Sequence, residues 1–399
     1  MVNNTKNLVE FIKEVYQNIV SIPAISPLSG GRGEMKKAKY IEGVLKGFGV
    51  KVSWYNAKEG EIIHPNLVGI YNGVDTSKTF WIISHMDVVP EGDKKLWHSD
   101  PFSAVVKKDR IYGRGTEDNG QGIVLALALL RYFVSKKLKP RINLGLVFVS
   151  DEETGSKYGM QFLVQKHKLF NPKDIAFVPD WGSKDGSKIE VAEKHVLWIK
   201  ATVHGKQTHA STPQKGINAC KEGMLFYLKL YNDLYKKFRM QEKLFDVPFS
   251  TFEPTKRAAN VPNINTIPAE DVQYFDCRII PEYNVDAVLQ AIRKTAKAFE
   301  ASSKCKIDIE IISRDDSPPI DLKAAKDFSK SIEKVRRIKP RFVGIGGGTV
   351  AKYTRELGIS TIVWSTLDDM AHSPNEYVKI SNIVKDLQVL IDYLTSSHE

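Results

Sequence analysis

A histidine and an aspartate stand two residues apart in Ser84-His85-Met86-Asp87, directly after the apolar run at residues 80–83. That run predicts a buried strand. Because positions i and i+2 of a strand point to the same side, we expect the side chains of His85 and Asp87 to emerge together where the strand ends. A carboxylate beside an imidazole can hold a metal-binding histidine in one tautomer. Taken alone, the pair favours a structural contact, because most paired histidines bind no metal.

Metal-ligand side chains recur beside the ends of other predicted strands and before a predicted helix, at Asp118, Glu152, Glu153, Asp180 and His372. Each has a simple structural explanation. Asp118 could cap the helix that follows it, Glu152 and Glu153 could form a solvated turn, Asp180 could form a turn, and His372 could lie in a surface loop. Ligands of open α/β sheets bind outside the carboxyl ends of the strands. Because all of these side chains lie beside the ends of predicted elements, coincidence is a poor explanation, and a common site is favoured.

Such a set of side chains would suit divalent cations. Clustered carboxylates repel one another unless cations neutralise them. Two histidines with several carboxylates fit zinc, cobalt or manganese, and a bridging carboxylate would allow two metals about 3.5–4 Å apart. Glu152 and Glu153 would point in different directions, so one could bind metal while the other handles protons. The spacing leaves open which does which.

Composition narrows the function classes. The chain has 399 residues, enough for two domains. Its three cysteines form neither a disulfide framework nor a CxxC motif, so any metal must be held by His, Asp and Glu. The net charge is +11, but the lysines are dispersed, which predicts a solvated basic surface and no nucleic-acid binding. Apolar runs are too short for a membrane span or a signal peptide, and we expect a cytoplasmic protein with no membrane association.

The predicted elements indicate an α/β protein with an insertion. Strands and helices alternate up to about residue 178, which predicts a mainly parallel sheet with helices on both faces. The middle of the chain predicts a β-α-β-β-α-β order, with two strands around a turn at residues 268–271. We therefore expect a catalytic metal-binding domain at 1–193 and 315–399. The inserted α+β domain, of ferredoxin-like type, is expected at 194–314.

The motifs together resemble one family. They are SHMDVVPEGD with the following LWHSDPF, YGRGTEDNGQG, SDEETGS, VPD, THAS, NTIPAE, FDCR, GGGT and MAHSPNE. In this order, across nearly the whole chain, the sequence resembles the M20 family of metallopeptidases and deacylases. That family includes acetylornithine deacetylase, succinyl-diaminopimelate desuccinylase, aminoacylase and carboxypeptidase G-type enzymes.

The resemblance implies a site with two divalent metals, Zn²⁺ first and Co²⁺ or Mn²⁺ as alternatives. One metal would be held by His85, Asp118 and Asp180. Asp118 would bridge to the other metal, held also by Glu153 and His372. Asp87 would be the hydrogen-bond partner of His85, and Glu152 would be the general base that activates the attacking water.

The resemblance also implies roles for the inserted domain as a lid and as the contact of a homodimer. His209 would reach the active site of a neighbouring subunit and polarise the scissile carbonyl. Four further residues match positions linked to recognition of a substrate carboxylate: Asn265, Arg278, Gly348 and Thr349.

The leading hypothesis is hydrolysis of the linear amide of an N-acyl amino acid, such as succinyl-diaminopimelate or acetylornithine. The alternative within the family is a dipeptidase or carboxypeptidase acting on short peptides. A catalytically silent binding protein would lack the base or a ligand, but all of these residues are present. Nucleotide binding through residues 344–349 is disfavoured, because the stretch has no GK[ST] ending and Thr349 replaces the last glycine of GxGxxG.

Overall fold

The computed structural model describes residues 2–396, with side chains from residue 6 onward. The chain folds into two compact units. The larger unit contains the chain up to Val191, Ile320–Val343, and the chain from Thr349 onward. The smaller unit contains Ala192–Pro319 and Gly344–Gly348.

The first part of the larger unit alternates helices and strands. Its elements are α1 (Val2–Val20), α2 (Met35–Gly47), β1 (Val52–Glu59), β2 (Ile62–Tyr71), β3 (Asp75–His85), β4 (Val105–Lys107), β5 (Arg110–Tyr112), α3 (Gly120–Lys136), β6 (Ile142–Val149), α4 (Met160–Lys166), β7 (Ile175–Val178) and β8 (Lys188–Glu193).

The smaller unit begins at Ala192, near the end of β8. Its elements are β9 (His195–His204), β10 (Thr208–His209), α5 (Ala219–Lys237), β11 (Thr251–Arg257), β12 (Thr266–Ile267), β13 (Glu270–Ile279), α6 (Val285–Ser302) and β14 (Lys306–Asp315). The chain then continues with α7 (Lys323–Arg336), β15 (Arg341–Ile345), α8 (Ala351–Glu356), β16 (Ser360–Val363), β17 (Tyr377–Lys379) and α9 (Ile380–Thr395).

The main sheet has eight strands in the order β1-β2-β6-β3-β7-β16-β8-β15. The central strands β6, β3, β7 and β16 run parallel to one another. β2 pairs antiparallel with β6, and β1 pairs antiparallel with β2. Every residue of β6 is buried, as expected for a parallel strand that is covered on both faces. The predicted α/β fold with a mainly parallel sheet is confirmed.

The register of the parallel strands brings their carboxyl ends to one edge. His85, the last residue of β3, pairs with Val149, the last residue of β6. Val178, which ends β7, pairs with Val363, which ends β16. Consequently the loops that follow these four strands leave the sheet side by side, and they carry Asp87, Glu152, Glu153, Asp180 and His372.

A glycine-rich turn precedes α3 and is packed too closely for larger residues. Gly115 has a φ of +77°, in the left-handed region that favours glycine. A Cβ added to Gly120 would lie 2.2 Å from the carbonyl oxygen of Gly115. The turn is therefore compact, and it holds Asp118 at the start of the helix.

The smaller unit has a four-stranded antiparallel sheet in the order β11-β13-β9-β14. Its apolar core joins the inward residues of the sheet, such as Leu197 and Phe275, to α5 and α6 residues such as Phe226 and Ile292. The order β-α-β-β-α-β agrees with the sequence-based expectation, with one difference in the second strand.

That second strand is β11, and not the segment before the turn at 268–271, which forms only the two-residue strand β12 paired with β10. β11 is an edge strand that contains Pro254, and five of its seven residues are exposed. Proline and polar exposure are typical of edge strands but hide the alternating pattern from which a strand is predicted. Within residues 2–396, none of the helices combines the length and apolar character needed to cross a membrane.

Candidate metal centre

Four loops and one strand end bring the predicted ligands together in the larger unit. His85 ends β3, Glu152 and Glu153 follow β6, Asp180 follows β7, and His372 lies in the loop after β16. Asp118 joins them from the turn before α3. Ligand atoms of His85, Asp118 and Glu153 all lie within 4.8 Å of one another, and so do those of His85, Glu152 and Asp180.

Asp118 lies between the two histidines and offers one oxygen to each. Its Oδ1 is 2.9 Å from Nε2 of His85, and its Oδ2 is 3.1 Å from Nε2 of His372. A carboxylate with its two oxygens turned to two different imidazoles has the arrangement that a bridging metal ligand requires.

Each histidine has a second carboxylate beside it. Asp180 Oδ1 is 3.5 Å from His85 Nε2, and Glu153 Oε2 is 3.0 Å from His372 Nε2. The geometry thus has two halves that share Asp118. His85 is 1% exposed and His372 is 57% exposed, so the half with His372 is the one open to solvent.

Asp87 contacts three of these residues, His85, Glu152 and Glu153. Its Oδ1 accepts a hydrogen bond of 3.1 Å from the Glu152 amide, and its Oδ2 accepts one of 3.0 Å from the Glu153 amide. The same carboxylate lies 3.4 Å from Nδ1 of His85 and is fully buried. One side chain therefore contacts the imidazole and both backbone groups that carry the paired glutamates.

The charges in this cluster shift the pKa values of its members. Burial, with the neighbouring carboxylates, raises the pKa of Glu152 well above its ordinary range. Burial lowers the pKa of His85, but Asp180 and Asp118 outweigh it and hold that pKa above its usual value. Hydrogen bonds to Asp118 and Glu153 raise the pKa of His372 to about 10. The cluster thus carries surplus negative charge that attracts protons onto its imidazoles, as it would attract cations.

The donor set fits two divalent ions. It combines two imidazoles with carboxylates, which is the chemistry of zinc, cobalt and manganese sites. In addition, Oε1 of Glu153 is buried and has no hydrogen-bond partner among the described residues. A buried carboxylate oxygen without a hydrogen-bond partner is unfavourable unless a cation satisfies it.

The residues predicted outside this cluster lie mostly in the smaller unit. His209 is exposed, and its Nδ1 accepts a hydrogen bond of 3.1 Å from the Ser211 amide. In the neutral ring the proton is therefore on Nε2. Asn265 lies close by, because its carbonyl oxygen accepts a 2.9 Å hydrogen bond from the amide of Ala210.

Arg278 lies on β13 and is bound on both sides. Its Nε and Nη2 donate to Asp276, at 2.7 and 2.9 Å, and its Nη1 donates to the carbonyl oxygen of Gly346 at 2.9 Å. Gly348 belongs to the same unit, whereas Thr349 begins the next segment of the larger unit, where its Oγ1 accepts a hydrogen bond from the Ala351 amide.

Two buried glutamates next to the ligands, Glu117 and Glu376, were not predicted from the sequence. Glu376 accepts hydrogen bonds from the amides of Glu117 and Asp118, at 2.8 and 3.1 Å. Glu117 accepts one of 2.6 Å from the amide of Asp368, in the loop that carries His372. Both stand inside the quoted motifs YGRGTEDNGQG and MAHSPNE, so an acidic residue near each ligand was the signal that could have found them.

Comparison with known proteins settles the family. The model of peptidase family M20/M25/M40 matches residues 81–396. The chain belongs to this family. It is a metal-dependent hydrolase of the M20 type, and the predicted resemblance is confirmed.

Curated relatives match over almost their whole length. An uncharacterized metallohydrolase of Methanococcus maripaludis is 41% identical, with 98% of this chain and 100% of that protein covered. A succinyl-diaminopimelate desuccinylase of Rickettsia prowazekii is 28% identical, with 95% of this chain and 97% of that protein covered.

Solved structures share the M20 fold. An M20 family metallo-carboxypeptidase of Sulfolobus solfataricus superposes with a TM-score of 0.73 at 21% identity, covering 99% of both chains. A dinuclear metal-binding M20 peptidase of Bacillus subtilis gives a TM-score of 0.66 at 13% identity, covering 97% of this chain and 99% of that one. At these identities the likeness concerns the fold.

Proposed function

We propose that this M20 hydrolase uses two divalent metals, Zn²⁺ before Co²⁺ or Mn²⁺, to cleave the linear amide bond of an N-acyl amino acid. The observation that carries the proposal is Asp118, which turns one carboxylate oxygen to His85 and the other to His372. His85, Asp118 and Asp180 would hold one ion, and Asp118, Glu153 and His372 the other.

Glu152 is proposed as the general base. It follows β6 beside Glu153, and one of its carboxylate oxygens lies within 4.8 Å of ligand atoms of His85 and Asp180, whereas Glu153 contacts His372 at 3.0 Å. The two metal ions, when bound, supply Lewis acidity that polarises the amide carbonyl and acidifies water. Glu152 would take one proton from the attacking water and return it to the leaving nitrogen, so that the C–N bond breaks into a carboxylate and an amine.

Asp87 would orient these groups. Its carboxylate accepts hydrogen bonds from the amides of Glu152 and Glu153 and lies against His85. It would therefore fix the proposed base, Glu152, relative to the two ligands Glu153 and His85. Supporting hydrogen bonds of this kind set the direction of metal-bound imidazoles.

His209 is proposed to donate a hydrogen bond to the scissile carbonyl from a neighbouring subunit. Because Nδ1 accepts the hydrogen bond from the Ser211 amide, Nε2 is the ring nitrogen that can donate. A homodimer through the inserted domain would be needed. In support, α5 exposes three large apolar side chains that a second copy would cover: Met224 at 52%, Leu225 at 51% and Leu228 at 61%.

The substrate is proposed to carry a carboxylate near Arg278, with Asn265, Gly348 and Thr349 completing its recognition. Arg278 pairs with Asp276 and also lies near a second cation, Lys194, in the smaller unit. Burial and the Arg278 guanidinium together lower the pKa of the nearby Lys194 to about 8. The relationship to a desuccinylase over most of the chain favours succinyl-diaminopimelate or acetylornithine-type substrates. The second candidate is a dipeptidase or carboxypeptidase, favoured by the fold shared with a metallo-carboxypeptidase.

A substrate screen with the metal-loaded protein tests this function. N-succinyl and N-acetyl amino acids, dipeptides and C-terminally blocked dipeptides would be compared by release of free amine, with Glu152→Gln as the background. The proposal predicts turnover of acyl amino acids that bear a free carboxylate. Exclusive turnover of dipeptides would establish the second candidate, and no hydrolysis by a protein that binds two metals would contradict both.

A further inference from the structure

Glu376 holds the turn that carries Asp118, although the two are far apart in the chain. Its Oε1 accepts hydrogen bonds from the amides of Glu117 and Asp118, and its Oε2 accepts one of 2.9 Å from the amide of Gly115. The side chain is fully buried. It lies four residues after His372, so the loop with one predicted ligand satisfies the backbone of the turn with another.

Glu117 makes the converse contact. It is adjacent to Asp118, and its Oε1 accepts a hydrogen bond of 2.6 Å from the amide of Asp368, while its Oε2 accepts one from the amide of Met370. These two amides belong to the loop that leads to His372, where Asp369 and His372 both have positive φ values, +67° and +62°. Such conformations persist only where surrounding contacts impose them.

Arg114 connects Glu376 to the backbone of His372. Its Nη1 donates to Glu376 Oε2 at 2.7 Å, and its Nη2 donates to the carbonyl oxygen of His372 at 3.4 Å. The guanidinium thus neutralises Glu376 and contacts the backbone of the ligand itself. It is 3% exposed, so these contacts are made away from water.

We propose that Glu117 and Glu376 are positioning residues that form a reciprocal clasp between the Asp118 turn and the His372 loop. The clasp sets the separation of Oδ2 of Asp118 from Nε2 of His372, and through it the affinity of the more exposed half of the centre. Neither glutamate contacts the reacting groups. The inference rests on the proposed two-metal function, because it concerns the second equivalent of metal.

The physical reason is the cost of holding an exposed ligand in place. His372 is 57% exposed, and the backbone of its loop is held by contacts with Glu117 and Arg114. In Glu376→Gln the NH₂ group would face either the Gly115 amide and Arg114 or the amides of Glu117 and Asp118. In both orientations donors would meet a donor, which would open the clasp. Loss of a supporting partner typically lowers metal affinity about 10–100-fold.

The test is a metal titration of the full chain in competition with a chelator, using Co²⁺ absorption for coordination geometry and elemental analysis for stoichiometry. Wild type is expected to bind two equivalents. Glu376→Gln and Glu117→Gln are each expected to keep one tight equivalent and to bind the other about 10–100-fold more weakly, with a changed Co²⁺ spectrum.

The matched control is Glu190→Gln. Glu190 is also fully buried and bound by an arginine, with its oxygens 3.0 and 3.1 Å from the Arg355 guanidinium. A purely structural effect would lower thermal stability in all three variants, whereas the clasp predicts weaker second-metal binding only in the first two.

The outcomes separate the two proposals. Wild type that binds fewer than two metals contradicts the proposed function itself. If wild type binds two and both clasp variants bind two with unchanged affinity and spectrum, the clasp is wrong. If one clasp variant does not fold, the other decides. If neither folds while Glu190→Gln does, the carboxylates are structural and the positioning role is refuted.

Discussion

Asp87→Asn is expected to weaken both the fold and the metal centre. The substitution keeps the size of the side chain but replaces one carboxylate oxygen with an NH₂ group. Asp87 uses both oxygens for the amides of Glu152 and Glu153, so an asparagine can accept from only one of them and turns a donor toward the other.

The magnitude follows from these contacts. Asp87 is fully buried, and the substitution removes one charge-assisted hydrogen bond worth about 1.5–3 kcal/mol. The hydrogen bond that remains becomes a neutral one, worth about 0.5–1.5 kcal/mol. The free energy of unfolding of the metal-free protein should therefore fall by about 2–4 kcal/mol. Metal affinity should fall about 10–100-fold, because His85 and Glu153 lose a common support.

Denaturant unfolding in the presence of chelator measures the first effect. Trp81 and Trp364 are almost fully buried in the larger unit, so tryptophan fluorescence reports on its unfolding. A chelator-competition titration measures the second. The matched control is Asp75→Asn, at the other end of β3, where an exposed aspartate accepts a 2.9 Å hydrogen bond from the Ser77 amide. Its effect should stay within about 0.5 kcal/mol.

The reasoning would be refuted by an Asp87→Asn protein whose unfolding free energy and affinity for both metals match those of wild type. A loss of stability without any change in metal affinity would show that Asp87 supports the strand end but not the ligands.

The remaining predictions concern the base, the donor and the dimer. Glu152→Gln should keep both metals by elemental analysis and lose about 10²–10⁴-fold in kcat, whereas Glu153→Gln should lose metal; the reverse pattern would exchange their roles. His209→Ala should raise the activation free energy of the chemical step by about 2.7–4 kcal/mol, and so lower kcat, with unchanged metal content. Mixing it with inactive Glu152→Gln under subunit exchange should restore activity if the donation crosses the dimer, and proven exchange without recovery would argue against that. If the proposed dimer forms through α5, Leu228→Glu should give monomers in sedimentation velocity, whereas Gln290→Glu on α6 should leave the dimer intact.

Much of the candidate centre could be predicted because its signals are local. His85 and Asp87 are two residues apart at a strand end, and Glu152 and Glu153 follow the apolar strand β6 after two intervening residues. In a parallel sheet the carboxyl ends of the strands share one edge, so a residue placed just after a strand is already assigned to that edge.

Other features depend on neighbours that the order of residues does not reveal. β11 was not predicted because an exposed edge strand with a proline lacks the alternation that a half-buried strand shows. Glu117 and Glu376 read as ordinary acidic residues in the sequence. Only the fold shows that each satisfies backbone amides of the other's loop.

The family, the α/β architecture and the set of ligand-type residues could all be inferred from the sequence alone, because they depend on short motifs and on the periodicity of single elements. The pairing of the carboxylates with the two histidines depends on the three-dimensional packing. That Asp118 gives one oxygen to His85 and the other to His372 depends on the register of four strands and on the shape of two loops more than 250 residues apart. The distances between these side chains are set by tertiary packing, and they cannot be inferred from the spacing of the residues along the chain.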